Sequence, residues 1–187
     1  MSHPYEPYLQ ETLIDHESLQ ARVRELGQQI SADYKGMDNV LLICVLKGGV
    51  MFLTDLMRQI DIPHAIDFLA ISSYGDGIRE SSGRVRIDMD LRQDIADKHV
   101  LIVEDIIDSG HTMQYILSLF ATRKPASVRI CTLLSKPSRR QVEIPLDYVG
   151  FEIPDKFVFG YGLDLDEVFR NLPFVGVCKP GSQYGAD

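Results

Sequence analysis

Leu19, Val23, Leu26 and Ile30 recur at steps of four, three and four, which puts them on one stripe of a helix, with Asp15 placed to cap its start and Gly36 to stop it. Asn39–Leu46 (NVLLICVL) follows as a nearly continuous apolar run, the pattern of a strand covered on both faces. Gly48-Gly49 breaks that run, Val50–Ile60 reads as a helix and His64–Ser73 as a second strand, so this stretch is a β-α-β unit. Tyr74–Arg84 (YGDGIRESSGR) holds three glycines, two serines and four charges with no apolar period, and reads as a long loop of the kind that serves as a lid. Val85–Leu91 is expected to form a short strand, His99–Val103 a buried strand and Met113–Ala121 a helix. Ser127–Leu134, Tyr148–Phe151 and Phe157–Phe159 read as further strands, and the tail with Gly176, Pro180, Gly181 and Gly185 as irregular. This alternation predicts an α/β fold, a mostly parallel sheet flanked by helices, with ligands at the carboxyl ends of the strands.

Composition narrows the class without naming the chemistry. A chain of 187 residues has room for one domain of ordinary size and can bury its core without disulfides or a structural metal. Its 19 Lys+Arg against 27 Asp+Glu leave a net charge of -8, the wrong sign for a broad nucleic-acid surface, though a local basic pocket is allowed. The longest apolar run, Val40–Leu46, is far short of the roughly 18 residues that suggest a membrane span. Met1–Asp15 carries His, Pro, Glu and Asp where a secretory signal needs a basic start and an apolar stretch, so the expected location is the cytoplasm. Cys44, Cys131 and Cys178 are odd in number, widely spaced and set among apolar neighbours, and read as small buried hydrophobes.

The chemistry concentrates in Val100–Met113 (VLIVEDIIDSGHTM), where an apolar strand runs into three carboxylates and then into Ser109-Gly110-His111-Thr112 at the start of a helix. Gly110 permits a tight turn, and successive backbone N–H groups with the Ser109 and Thr112 hydroxyls can cradle a phosphate at the positive end of that helix. Glu104, Asp105 and Asp108 cannot be phosphate ligands, so they face sugar hydroxyls, Mg²⁺ or a proton to be moved. A phosphorylated sugar satisfies all of these.

As one string, an apolar strand ending in Glu-Asp, two aliphatic residues and then Asp-Ser-Gly-x-Thr closely resembles the phosphoribosyl-pyrophosphate (PRPP) signature of type I phosphoribosyltransferases, and other segments resemble the hypoxanthine-guanine branch. Leu46-Lys47-Gly48-Gly49 is similar to the family's pyrophosphate loop, in which a cis peptide before the lysine turns backbone N–H groups toward the leaving group. Ser72-Ser73-Tyr74-Gly75 resembles the start of the catalytic loop, which implies that Ser73 and Tyr74 close over the reacting sugar. By the same resemblance Lys136 recognises the purine 6-oxo group, Phe157 stacks on the base and the Val158 backbone meets its Watson–Crick edge. Without it, Lys136 would read as a surface lysine and Phe157 as core. Asp164, near the base, corresponds to a ligand of a second Mg²⁺ on pyrophosphate, and Arg170 to a pyrophosphate contact. His111 stands where the family is expected to carry lysine, arginine or an aliphatic residue, so a side-chain contribution to phosphate affinity could become pH dependent there.

The resemblance implies a single domain over residues 1–187, with a twisted-sheet core over about 36–150 and a small hood from the N-terminal segment and about 151–187. It implies Mg²⁺-dependent transfer of phosphoribosyl from PRPP to hypoxanthine or guanine, with Glu104 and Asp105 gripping the ribose hydroxyls directly or through metal, Asp108 as general acid/base, and a homodimer or homotetramer. Because side chains of adjacent strand residues point to opposite faces, the backbone is expected to leave strand geometry near Glu104 and Asp105. Two other readings remain: a xanthine-preferring relative, and an RNA-binding regulator on the same fold, against which the net charge and the purine elements speak.

Overall fold

The computed structural model describes residues 3–74 and 84–185. The apolar runs form a six-stranded sheet in the order β4 (Arg84–Met89), β3 (Ala65–Tyr74), β2 (Val40–Leu46), β5 (His99–Ile107), β6 (Ser127–Ser135), β7 (Tyr148–Glu152). All neighbours are parallel except β4, which runs antiparallel to β3. β2 is central, with Cys44 registered between Phe68 and Val103, and its unbroken apolar sequence follows from burial on both faces.

Alternate residues of these strands feed two separate cores. Leu42, Cys44, Leu101 and Val103 pack with Phe52 and Leu56 of α2 (Val50–Met57) and with Leu19, Val23, Leu26 and Ile30 of α1 (His16–Asp33). Leu41, Ile43, Val100 and Ile102 face the other way, onto Met113, Ile116 and Phe120 of α3 (His111–Thr122). The helix stripe read from the sequence is the buried one, and Asp15 caps α1 by accepting the Ser18 N–H at 2.8 Å. The α2 helix stops at Met57 rather than Ile60, because the chain turns there: Gln59 N–H donates to Leu56 O and Asp61 N–H to the Ser31 hydroxyl. The Cys44, Cys131 and Cys178 thiols are buried, and burial with help from Glu104 and Asp105 pushes Cys44 up to about 12, which keeps it an inert thiol.

The two ends of the chain meet in a second sheet, ordered β1 (Leu9–Ile14), β9 (Val175–Cys178), β8 (Val158–Phe159) and antiparallel throughout. The tail is therefore not wholly irregular as the sequence pattern suggests. Its strand β9 is only four residues long and is completed by Leu9–Ile14, more than 160 positions away, so no local signal marks either one. This sheet forms the hood. β5 also runs four residues past Val103, because β6 pairs it to the end, Glu104 opposite Thr132 and Ile107 opposite Ser135. Glu104 and Asp105 thus lie within a strand, and the expected departure from strand geometry does not occur there. Residues 75–83 of the expected lid loop lie outside the described residues. Among the described residues no helix is long and apolar enough to cross a membrane.

Candidate active site

The carboxyl ends of β2, β5 and β6 and the hood segment 160–170 converge on one place. The Leu46–Lys47 peptide is cis, as the resemblance to a pyrophosphate loop implies. Gly48 has no room for a side chain, since a Cβ there would fall on the Asp105 carboxylate. Gly49 is as tightly backed, with a Cβ 2.8 Å from Val45 O and 3.0 Å from Cys44 Sγ. From the hood, Gly162 (φ +100°) packs against the Gly48 carbonyl. The loop after β2 is thereby held between Asp105 and the hood, and neither glycine carries a side chain of its own.

Arg170 fastens the hood segment. Its Nη1 donates to Gly162 O at 2.8 Å, while Nη2 lies 2.9 Å from Asp164 Oδ1 and 3.4 Å from Glu167 Oε2. Lys47 Nζ lies 2.7 Å from the same Glu167 oxygen. Lys47, Asp164 and Arg170, separated by up to 123 positions, are thus brought into one charged cluster. Glu167 belongs to it as well, and nothing in its sequence spacing singles it out.

Glu104 is 7% exposed, and its Oε1 accepts the Asp105 N–H at 3.2 Å. Burial, and then the neighbouring Asp105, push the Glu104 carboxyl well above the usual range. Burial also raises Asp105, against the opposing pull of hydrogen bonds and of the Arg170 charge. A buried Glu104 beside a half-buried Asp105, both raised by desolvation, favours a protonated form or a bound cation. Among the described residues no cluster of three or more acidic, histidine or cysteine side chains forms a ready-made metal cage. Hard oxygen donors in a small number fit Mg²⁺, which keeps several waters and takes its other ligands from substrate phosphates.

Beyond Ile107 the strand gives way to the turn that opens α3. Gly110 (φ +93°) caps the helix, and a Cβ there would stand 2.9 Å from Val142 O. Ser109 O accepts the Gln141 and Val142 N–H groups, at 3.0 and 3.1 Å, and His111 Nε2 pairs with Gln141 Oε1 at 3.0 Å. No acidic residue lies in the first turn of α3, where Thr112 is exposed, so the positive end of the helix is available to an anion.

On the other flank, Lys136 is 7% exposed rather than a surface lysine, its N–H donating to Ile107 O at 3.0 Å. Its Nζ stands 3.7 Å from Asp155 Oδ1. Arg139, which the sequence pattern did not single out, bridges Asp155 (3.6 Å) and Asp108 (3.1 Å). A 3-10 turn over Pro137–Arg139 brings it back toward β5, and Pro137 just after the strand is the only sequence mark of that turn. Phe157 is 54% exposed instead of core, anchored through its carbonyl by the Cys178 N–H at 2.8 Å, while Val158 is buried in β8. A cavity of about 450 Å³ opens beside Phe157 with Gln10, Lys156, Val177 and Lys179 in its wall, a different set from Lys136 and Asp164. Ser73 and Tyr74 end β3, opposite Val85 and Arg84 in the ladder.

Residues 10–166 match a model of the phosphoribosyl transferase domain. The chain belongs to that family. Over 168 residues it is 49% identical to the hypoxanthine phosphoribosyltransferase of Haemophilus influenzae, covering 89% of this chain and 93% of that one. It is also 48% identical over 172 residues to the bifunctional protein TilS/HprT of Listeria monocytogenes, covering 92% of this chain but 26% of that protein, so it spans about a quarter of the bifunctional relatives it matches. In three dimensions, a crystal structure of a hypoxanthine phosphoribosyltransferase from Staphylococcus aureus superposes with a TM-score of 0.90 at 45% identity, covering 96% of this chain and 97% of that one. The mostly parallel sheet with a hood of terminal segments is the architecture expected from the sequence, and this member of the family has the type I phosphoribosyltransferase fold.

Proposed function

We propose that this chain transfers a phosphoribosyl group from PRPP to N9 of hypoxanthine or guanine, giving IMP or GMP and pyrophosphate, as a purine-salvage enzyme. The observation that supports the reading is the convergence of a Lys47-Gly48-Gly49 loop, the Glu104–Asp105 carboxylates and the open positive end of a helix at the carboxyl edge of one parallel sheet. Those three features match the diphosphate, the ribose hydroxyls and the 5′-phosphate of a single substrate, and the relatives named hypoxanthine phosphoribosyltransferase support the base.

In this reading Ser109, Gly110, His111 and Thr112 bind the 5′-phosphate at the start of α3. Glu104 and Asp105 accept hydrogen bonds from the ribose hydroxyls, and a pair whose charge is penalised by burial gains from each such donor. Lys47, the Gly48 backbone and Arg170 receive the pyrophosphate as it leaves. Glu104, Asp105 and Asp164 would hold Mg²⁺, which supplies charge neutralisation and orientation for the leaving pyrophosphate when bound. Asp108, held by Arg139 and 41% exposed, accepts the proton from purine N7 as N9 attacks. Lys136 donates to the 6-oxo group, Phe157 stacks on the base and the Val158 backbone meets its edge, with Asp164 beside it. Ser73 and Tyr74 complete the proposed catalytic set, in which water is kept from the developing oxocarbenium centre. A homodimer or homotetramer belongs to the same reading and is read directly by analytical ultracentrifugation.

Initial rates of IMP formation from PRPP and hypoxanthine, with Mg²⁺ and with EDTA, test the proposal. Metal-dependent IMP formation is expected. Folded protein that binds PRPP yet forms no nucleotide would overturn it and make the regulatory reading the one to pursue.

A further inference from the structure

Two cations reach for the same carboxylate. Lys47 Nζ stands 2.7 Å and Arg170 Nη2 3.4 Å from Glu167 Oε2, while Arg170 keeps its separate bonds to Gly162 O and Asp164. Glu167 sits at φ +70°, a conformation that L residues rarely adopt, and its N–H is fixed on Asp164 Oδ2 at 2.9 Å. Its backbone is therefore placed by the hood, whereas its side chain, 66% exposed, is held among the described residues by the two cations. Lys47 and Arg170 are the residues assigned above to the pyrophosphate.

We propose that Glu167 is a built-in competitor for pyrophosphate: its carboxylate occupies Lys47 and Arg170 between turnovers and yields them when the diphosphate arrives, free or as part of PRPP. The inference rests on the phosphoribosyl-transfer reading and deepens it. A diphosphate carries more charge and more acceptor oxygens than one carboxylate, so it wins the exchange, but its net affinity is reduced by the ion pairs that must break. When it departs, Glu167 returns to Lys47, while Arg170 keeps Asp164 throughout. An exposed pair is weak, which sets the expected effect at about two- to fivefold in affinity. Glu167 is a positioning residue in this scheme and touches no reacting atom.

The test is calorimetric titration of pyrophosphate, with Mg²⁺ present, into the native chain, Glu167→Gln, Glu167→Ala, Lys47→Met and the Lys47→Met/Glu167→Gln double variant, alongside KM and kcat for PRPP. Removing the carboxylate is expected to tighten pyrophosphate by about two- to fivefold, to lower the PRPP KM in parallel and to leave the KM for the base unchanged. In the Lys47→Met background most of that gain should disappear. If Glu167 merely braces the hood, both Glu167 variants will bind pyrophosphate equally or more weakly than the native chain, and the inference is overturned. Native folded protein that binds no pyrophosphate at all would instead remove the phosphoribosyl-transfer reading, and the inference with it.

Discussion

Gly48 and Asp105 fit each other so closely that the carboxylate of one occupies the position a Cβ on the other would take. The loop proposed to receive pyrophosphate and the strand proposed to grip the ribose therefore meet at this contact. Gly48→Ala must push either the loop or Asp105 aside, and a displacement of about 1 Å in a catalytic site can cost on the order of 100-fold. The expected outcome is a kcat/KM near that much lower with an unchanged far-ultraviolet circular dichroism spectrum. Activity within a few-fold of the native chain would show that the close approach has no role in positioning.

Asp108 stands apart from Glu104 and Asp105 and carries an arginine partner, Arg139 Nε at 3.1 Å. In the proposed role of accepting the N7 proton it acts in the transition state, so Asp108→Asn should lower kcat by about 10²–10⁴-fold and leave PRPP affinity nearly constant. Single-turnover rates together with calorimetric PRPP binding separate the two, and a kcat within tenfold of native excludes the role.

Lys136 is buried yet among the described residues meets one carboxylate, at 3.7 Å, so donor capacity remains for a base. Lys136→Met preserves length and removes the charge. The expected loss in kcat/KM for hypoxanthine is about 10–100-fold, with discrimination between 6-oxo and 6-amino purines reduced, as measured by competition between hypoxanthine and adenine.

Two stability measurements probe the frame. Phe120 is fully buried under the sheet, and Phe120→Ala should cost about 3–5 kcal/mol in urea unfolding. On the surface, the Arg123 guanidinium beside Asp90, at 2.7 Å, holds the Asp90 carboxyl below its usual range. A carboxyl depressed in the folded state stabilises above its unfolded pKa, and that contribution fades as pH falls through the folded value. Asp90→Asn should therefore cost up to about 1 kcal/mol at neutral pH and nothing measurable once pH is below the folded pKa, because the pair is half-exposed. An undiminished difference in acid would show that the pair is not its source.

How far the sequence reaches depends on whether a feature is local. The α1 stripe, the both-sides-buried β2 and the Glu104-to-Thr112 string are contiguous patterns with a periodicity or a chemistry of their own, and each is found where the pattern puts it. Strand β1 is paired by β9 from the far end of the chain, and the four-residue β9 is paired in turn by β1 and β8. Arg139 and Glu167 escape for a related reason. Their meaning comes from partners 31 and 120 positions away, brought close by a 3-10 turn and by a hood segment with several residues at positive φ. Phe157 is the converse, since an aromatic leading into Val158-Phe159 suggests core, and its exposure comes from standing just before the two-residue β8 at the hood's edge.

The most direct test of the account is the choice of base. At fixed PRPP and Mg²⁺, initial rates with hypoxanthine, guanine, xanthine, adenine and uracil should show nucleotide formation with hypoxanthine, and with guanine, at rates far above those with adenine or uracil. Xanthine alone as substrate would move the enzyme to a specialised relative. Turnover of adenine or uracil in preference to every 6-oxopurine would contradict the site built around Lys136 and Phe157.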